Sequence, residues 1–412
     1  MRIAVIGAGV IGATLALTLV RRGHEATLID RSDGAEAAVT GNAGAFAFAD
    51  VIPMATPGIL RKAPLWLLDP DGPLSIPPAY LPRIAPWLAR FWRASWRDRY
   101  AAAVAAQAAL MALSQAALER LVVQEGLAPF LRREGQLQVY EGEAAFRSSL
   151  PGWEERRAAG VNFHLIESAA ALAEIQPGLA PRFTHGGWTS GWINVTDPAL
   201  WTRALAEKSG AARLRAQAAG LRIGHDGIAV DLGGDAPLFD RVVIAAGAWS
   251  GPLARSAGLS LPLETERGYN TTLPAGAFDL RTHLTFADHG FVVSKIGEGL
   301  RIGGAVELGG LKRAPRMSRA EVLLRKAAGF LPGLVTTGGR QWMGFRPSMP
   351  DSLPVIAAAP RDPRILLAFG HGHLGLTQSA GTAEIVADLL EERAPSIDIG
   401  PFRPTRFAGA SR

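Results

Sequence analysis

Apolar residues run unbroken from Ile3 to Ile6 and then recur at helical spacing from Val10 to Val20. The first pattern predicts a strand buried on both faces, the second a helix lying against it. Gly23 ends the helix and "EATLID" (25–30) supplies the next strand, so the chain opens with a strand–helix–strand unit finishing at Asp30. The texture then changes. Between Pro53 and Trp96 proline is dense enough to cut the chain into short helices and loops. "RDRYAAAVAAQAALMALSQAALERLVVQEG" (97–126) reads as one long helix capped by Gly126, "GQLQVYE" (135–141) as a strand, and "GGWTSGWINV" (186–195) as a bend between two strands. "DPALWTRALAEKSG" (197–210) is a helix with Asp197 as N-cap and Pro198 at its first position. "DRVVIAAGAWS" (240–250) is a buried strand running into a small-residue turn. Apolar and polar residues alternate from Leu261 to Glu307, as in an antiparallel sheet. The final pattern, "RILLAFGHGHLGLTQSAGTAEIVADLLEE" (364–392), is a strand, a glycine turn and a helix.

Strand–helix units thus open and close the chain, with antiparallel strands between them. This order predicts an α/β protein with a discontinuous, Rossmann-like nucleotide-binding domain and an inserted α+β substrate domain containing an antiparallel sheet. We place the nucleotide-binding parts at 1–60, 195–258 and 340–412, and the substrate or cap parts at 61–194 and 259–339. The length, 412 residues, agrees with two associated domains.

Composition narrows the chemistry. Hydrophobic residues make up 48% and charged residues only 19%, which suits a large packed core and argues against disorder. The net charge of +6 comes from scattered arginines with no basic helix or tail, so nucleic acid is not expected as a partner. Cysteine is absent, which excludes disulfides, thiolate catalysis and iron–sulfur ligation. The N-terminus runs straight into a strand and lacks a small-residue cleavage site, and no run of about 18 apolar residues occurs. A cytoplasmic location is the expectation. A second expectation is peripheral contact at the inner face of the membrane, because Trp66, Trp87, Trp92 and Trp96 are interleaved with Arg61, Arg83, Arg90, Arg93 and Arg97.

Two segments fit the glycine pattern of dinucleotide sites: "GAGVIG" (7–12) and "GHGHLG" (370–375). The first has the full context, with a strand before, a helix after and an acid about 20 residues on. Gly7 permits a tight turn, Gly9 lets a pyrophosphate approach the backbone, and Gly12 lets the helix lie close on the strand. Asp30 would accept hydrogen bonds from a ribose and repel a 2′-phosphate. The second copy lacks room downstream for another strand carrying a ribose-binding acid, so a second dinucleotide domain is not expected. A metal at His371 and His373 would need further ligands, and no histidine elsewhere has an obvious acidic partner pattern. We therefore expect no metal site. A single long ligand could run from the first loop to the helix N-terminus at the second.

"GAGVIG" with Asp30, "TGNAG" (40–44), "RGY" (267–269), "GFRPSMPDSLPVI" (344–356) and "GHGHLG" occur in an order that resembles the FAD-dependent D-amino-acid dehydrogenases of the D-amino-acid oxidase and glycine oxidase superfamily. The resemblance extends over nearly the whole chain. It implies an FAD-dependent oxidoreductase that oxidises a D-amino or D-imino acid, such as D-proline or hydroxy-D-proline, at the α-carbon and passes electrons to a respiratory acceptor such as a quinone. It also implies cofactor contacts: Thr40, Gly41, Asn42, Ala43 and Gly44 along the flavin, and Gly247 beside the pyrophosphate. Gly370, His371, Gly372, His373, Leu374, Gly375, Leu376 and Thr377 would wrap the pyrimidine edge, and Val10, Ile11, Arg31 and Ala218 join the same set. With no cysteine, and no histidine between His24 and His164, the FAD is expected to be non-covalent.

For the substrate, Arg346 offers a planar fork that matches a carboxylate. Tyr269 is a candidate for a hydrogen bond to the same group, and His289 for tuning the amine's protonation. Two other functions stay open at this point: an oxygen-using glycine or sarcosine-type amine oxidase, and a flavin-binding electron-relay subunit without its own substrate.

Overall fold

The computed structural model describes residues 1–32, 34 and 37–407, except for the side chains of residues 60 and 62. Two large sheets organise it. In one, strands Ala212–Arg215, Glu25–Asp30, Arg2–Ile6, Arg241–Ile244 and Asp362–Phe369 lie parallel in that order, and Val355–Ala359 closes the edge antiparallel. The chain leaves Arg2–Ile6 toward Glu25–Asp30 on one side and returns as Arg241–Ile244 on the other. The connections therefore diverge beyond Ile6, and a crevice opens at the strand ends.

This sheet is covered on both faces, which is why its strands read as continuous apolar runs. Ile3 and Val5 pack toward helices Val10–Arg21, Arg97–Glu125, Pro198–Ser209 and Gly375–Leu390. Ala4 and Ile6 pack toward a three-stranded sheet (Gly220–Ile223, Ile228–Asp231, Leu238–Phe239) and helix Ser250–Ser256. Helix Arg97–Glu125 is long and apolar enough to cross a membrane by length and composition. Its buried positions, among them Ala103, Gln107, Leu110, Ser114, Ala117 and Leu118, make one stripe, and the helix lies against Gly375–Leu390.

The second sheet has nine strands, mostly antiparallel. Its order runs from Arg340–Ser348 through Glu264–Leu273, Gly299–Leu308, Phe291–Ile296 and His283–Phe286 to Gln136–Glu141, Phe183–Thr189 and His164–Ile166, with Leu74–Ser75 attached at the side. The predicted alternation is present, but its polar face does not meet bulk solvent. Leu137, Val139, Leu284, Phe286, Val293, Leu300 and Ile302 enter a hydrophobic cluster with helix Ser318–Phe330. The opposite parity (Gln136, Gln138, His283, Thr285, Arg301, Gly303) faces an internal cavity. Strand Arg340–Ser348 pairs with Glu264–Leu273 along nine residue pairs. Its backbone is thus part of this second sheet, although the sequence boundary at 339/340 assigned it to the nucleotide-binding part.

Candidate active site

A single cavity of about 850 Å³ lies between the strand ends of the parallel sheet and the polar face of the larger one. That volume is near the upper end of the roughly 300–1,000 Å³ usual for small-molecule sites. Both glycine loops line it. At the first, Gly7 has φ +110°, and a Cβ there would stand 2.4 Å from Ala245 O. A Cβ on Gly12 would meet Gly7 O at 1.7 Å, so this glycine sets the close approach of helix to strand and does not itself line the cavity. Among the described residues no side chain caps the helix at Gly9, and no acid lies in its first turn. The helix starting at Gly375 is uncapped and acid-free in the same way. Two helix N-termini with spare N–H groups therefore border one cavity, as one ligand electron-rich at two places along its length would require.

At the first end, Asp30 Oδ2 accepts the Ala8 N–H at 2.9 Å and Oδ1 accepts the Ser32 N–H at 2.8 Å. The carboxylate is thereby aimed at the cavity rim, beside Arg31, whose guanidinium lies 4.1 Å over the Trp249 ring. Val10, Ile11, Ala218 and Gly247 line the same stretch.

The middle of the cavity is walled by Gly41, Asn42 and Ala43, and the large sheet holds this loop in place. Arg301 donates from Nη1 to the carbonyls of Thr40 (2.9 Å) and Asn42 (2.6 Å), and Asn270 Nδ2 donates to Gly41 O at 3.0 Å. Burial draws the Arg301 guanidinium down to about 10. Asn270 Oδ1 is buried without a partner. Trp342 fills the space over Gly41, where a Cβ would meet its ring at 1.9 Å. Thr40, Gly44, Gly370 and Thr377 act behind this wall. Thr40 Oγ1 donates to Ala37 O, Gly44 N–H to Asn42 Oδ1, and Thr377 Oγ1 accepts the Ala47 N–H. Gly370, with φ +87°, turns the chain under Met349.

At the far end the Gly372 N–H donates to Pro347 O at 2.7 Å. This ties the second glycine loop to the end of strand Arg340–Ser348 and brings His373 near Arg346. Arg346 Nη1 donates to Ala305 O at 3.0 Å, and the guanidinium lies flat over Gly268. Burial lowers the proton affinity of Arg346, opposed by Glu266. His373 is open to the cavity yet deep within the protein. Burial lowers its proton affinity, Asp50 and Glu266 act the other way, and Arg346 reinforces the burial. His371 turns inward to Thr382 Oγ1 at 3.0 Å and is pushed down to about 3 by burial, so it is neutral at physiological pH. Leu374, Gly375 and Leu376 complete this wall.

Two candidates do not reach the cavity as expected. Tyr269 contributes to the wall, but its hydroxyl donates to Glu307 at 3.0 Å and accepts the Arg316 N–H, on the opposite face of the strand from Glu266, Gly268 and Asn270. It is in no position to bond a substrate carboxylate. His289 stands outside the cavity, 2.7 Å from Glu141 Oε1 and against the Phe330 ring. Sequence reasoning missed Glu266, Asp50, Asn270, Arg301, His283 and Trp342. The signal available was the polar parity of three strands, which looks the same whether water or a cavity lies over it.

The chain matches the family model described as "DAO: FAD dependent oxidoreductase" over residues 2–389. It is 38% identical over 416 residues to a D-amino-acid oxidase of Bradyrhizobium diazoefficiens, covering 98% of each chain. It is 31% identical over 417 residues to a D-amino acid dehydrogenase of Phenylobacterium zucineum, covering 98% of this chain and 96% of the relative. Its fold is similar to that of glycine oxidase from Geobacillus kaustophilus, with a TM-score of 0.76 at 23% identity over 98% of this chain and 99% of that one.

Proposed function

The chain belongs to the FAD-dependent oxidoreductase family, and from that membership we propose that it oxidises a D-amino acid or cyclic D-imino acid, such as D-proline or hydroxy-D-proline, at the α-carbon. The observation that carries this reading is Arg346. It is a guanidinium deep in the cavity with one hydrogen bond among the described residues, to Ala305 O, and its remaining donors are open to a ligand. Such a fork matches a carboxylate in two parallel hydrogen bonds. The full-length relative named a D-amino-acid oxidase supports the choice of substrate.

The cavity residues suit FAD. The spare N–H groups of the two helix starts would hold its electron-rich parts, Asp30 its ribose, and the partnerless Asn270 Oδ1 an N–H donor on its ring system. Bound there, FAD would supply the two-electron oxidising chemistry at the substrate α-carbon. The protein's share is placement. Arg346 fixes the carboxylate and so the direction of the α-C–H, which is worth much of the barrier when geometry is near-attack. Arg301 and Asn270 hold the 40–44 loop rigid. The imine of a primary D-amino acid hydrolyses in water to a 2-oxo acid and ammonia, whereas a cyclic D-imino acid gives a cyclic imine that keeps its nitrogen.

In this reading the electrons pass to a respiratory acceptor. Leu65, Leu68, Leu81, Trp92 and Trp96 are exposed beside Arg61, Arg83 and Arg93, which supports contact with an anionic membrane surface. Because the relative that is 38% identical is named an oxidase, oxygen is a second candidate acceptor. Hydrogen peroxide formed one for one with substrate oxidised would select it. The reaction itself is tested by the anaerobic visible spectrum of the holoenzyme. Flavin bands should bleach with members of a D-amino-acid panel and persist with the L-forms. Bands that no amino acid bleaches would reject the proposal.

A further inference from the structure

Glu266 is 5% exposed and lines the cavity, and its Oε2 is buried with no hydrogen-bond partner. Among the described residues no cation comes within the 4.0 Å of an ion pair, Arg346 included. A buried carboxylate left this way is destabilising, and a cationic ligand group placed against it would offset that cost. Glu266 is the cross-strand partner of Arg346. Such side chains stand side by side, with Cβ atoms about 4.5–5.5 Å apart.

Resting on the amino-acid reading above, we propose that Glu266 binds the α-ammonium group of the substrate, so that Arg346 and Glu266 together recognise the zwitterion. The chemistry follows from connectivity. In an α-amino acid the carboxylate and the nitrogen are substituents of one carbon, so a carboxylate seated on Arg346 carries its ammonium toward the neighbouring side chain. A cationic substrate side chain would lie further off. The groups facing Glu266 agree. Arg346 comes from the adjacent strand, His373 from the glycine loop, and Asp50 from the loop after Phe46 lies across the same space. On its own strand, Glu264 is already engaged, accepting the Tyr80 hydroxyl at 2.9 Å and the Thr265 N–H at 2.8 Å. The neighbouring cross-strand residue on the other side, Leu308, offers no charge. Glu266 is thus the acid at the Arg346 end that is deeply buried and has an unpartnered oxygen.

Two consequences separate this role from a merely structural one. A carboxylate on the ammonium favours its protonated form, so it tightens binding and raises the apparent pKa of the bound amine. Removing the charge should therefore weaken amino-acid binding while moving the alkaline-rising limb of the reduction rate to lower pH.

The test uses the holoenzyme and two ligands that cannot be oxidised, 2-aminoisobutyrate and 2-hydroxyisobutyrate, with binding read from the shift in the flavin spectrum. The wild-type protein should prefer the amino compound. In Glu266→Gln that preference should fall by about 10- to 100-fold, the size of one hydrogen bond between charged groups, with the hydroxy acid bound as well as before or better. Glu266→Asp should keep part of the preference. An unchanged ratio in E266Q carrying full FAD would overturn the proposal. So would a wild-type protein that binds both ligands equally, a result that needs no variant to fold. Bleaching by D-amino acids with an unaltered ratio removes Glu266 and leaves the reaction standing, whereas absence of both bleaching and ligand shifts removes both.

Discussion

Gly268 sits in ordinary extended backbone beneath the guanidinium of Arg346, and this makes a single methyl group a probe of the site. A Cβ built at Gly268 would stand 2.4 Å from Arg346 Nη2, 2.5 Å from Cζ and 2.9 Å from Nε. Normal separation is about 3.5–4.0 Å, so in Gly268→Ala the guanidinium must move by roughly 1 Å. Its bond to Ala305 O, 3.0 Å long, would be lost or bent. The backbone has no reason to move, because φ at this residue is not in the left-handed region and the obstacle is the end of a flexible side chain. Misplacement of a reacting group by about 1 Å costs on the order of 100-fold in rate, about 2.7 kcal/mol of barrier. We therefore expect kcat/KM for the best D-amino acid to fall roughly 100-fold. FAD content should be full, and the melting temperature within a few degrees of wild type. Arg346→Lys keeps the charge and loses the fork, and should show a loss of similar size. Since both changes act through one contact, the double variant should lose much less than the product of the two. Wild-type kcat/KM in well-folded Gly268→Ala would refute the assignment of Arg346 to the carboxylate.

Three further outcomes follow from the same geometry. Arg301→Met deletes the donors to the Thr40 and Asn42 carbonyls, and apoprotein titrated with FAD should show affinity weakened by about 30-fold or more, two charged hydrogen bonds partly replaced by water. Arg267 and Glu307 form an ion pair with both side chains fully buried, on the face of the sheet away from the cavity. Arg267→Met should cost about 3–5 kcal/mol in urea unfolding, because it strands Glu307, with the flavin spectrum of the folded fraction unchanged. The protein should also lose stability in mild acid. His283 and His371 are held at about 3 by burial, against 6.5 when exposed, so below pH 6.5 the unfolded chain binds more protons and stability falls with pH until the folded values near 3 are reached. At pH 5.5 the loss is about 1.4 kcal/mol for each histidine relative to neutral pH. The unfolding midpoint measured from pH 7.5 to 5.5 should show it, and His371→Asn should reduce the slope.

The first glycine loop was legible because its signal is local. Strand, tight turn, helix and the acid at the end of the next strand all lie within residues 2–30, and they fold as read. The discontinuous arrangement was legible for a related reason, since period and length distinguish the parallel strands from the alternating ones. The second glycine loop was ambiguous in one dimension, open to a second nucleotide, a metal or part of one ligand. Its place on the same cavity wall as the first is what supports the reading of one ligand.

The sequence by itself determined which residues share a face of each strand, because side chains alternate with a period of two. It did not determine what lies over that face. On strand Glu264–Leu273 the hydroxyl of Tyr269 and the guanidinium of Arg267 bond Glu307 on the far side, and the even positions Glu266, Gly268 and Asn270 line the cavity. The expectation at Tyr269 therefore fell one position away from the parity that carries the unpartnered carboxylate of Glu266. His289 failed likewise, since a histidine near the sheet tells nothing of which end of it the cavity occupies. The decisive contacts are long-range: Arg301 holds Thr40 across 261 positions of chain. Only the packing of one sheet over the ends of the other turns a polar stripe into a pocket, because that packing removes bulk water from residues whose pattern along the chain is the same as that of a solvated edge.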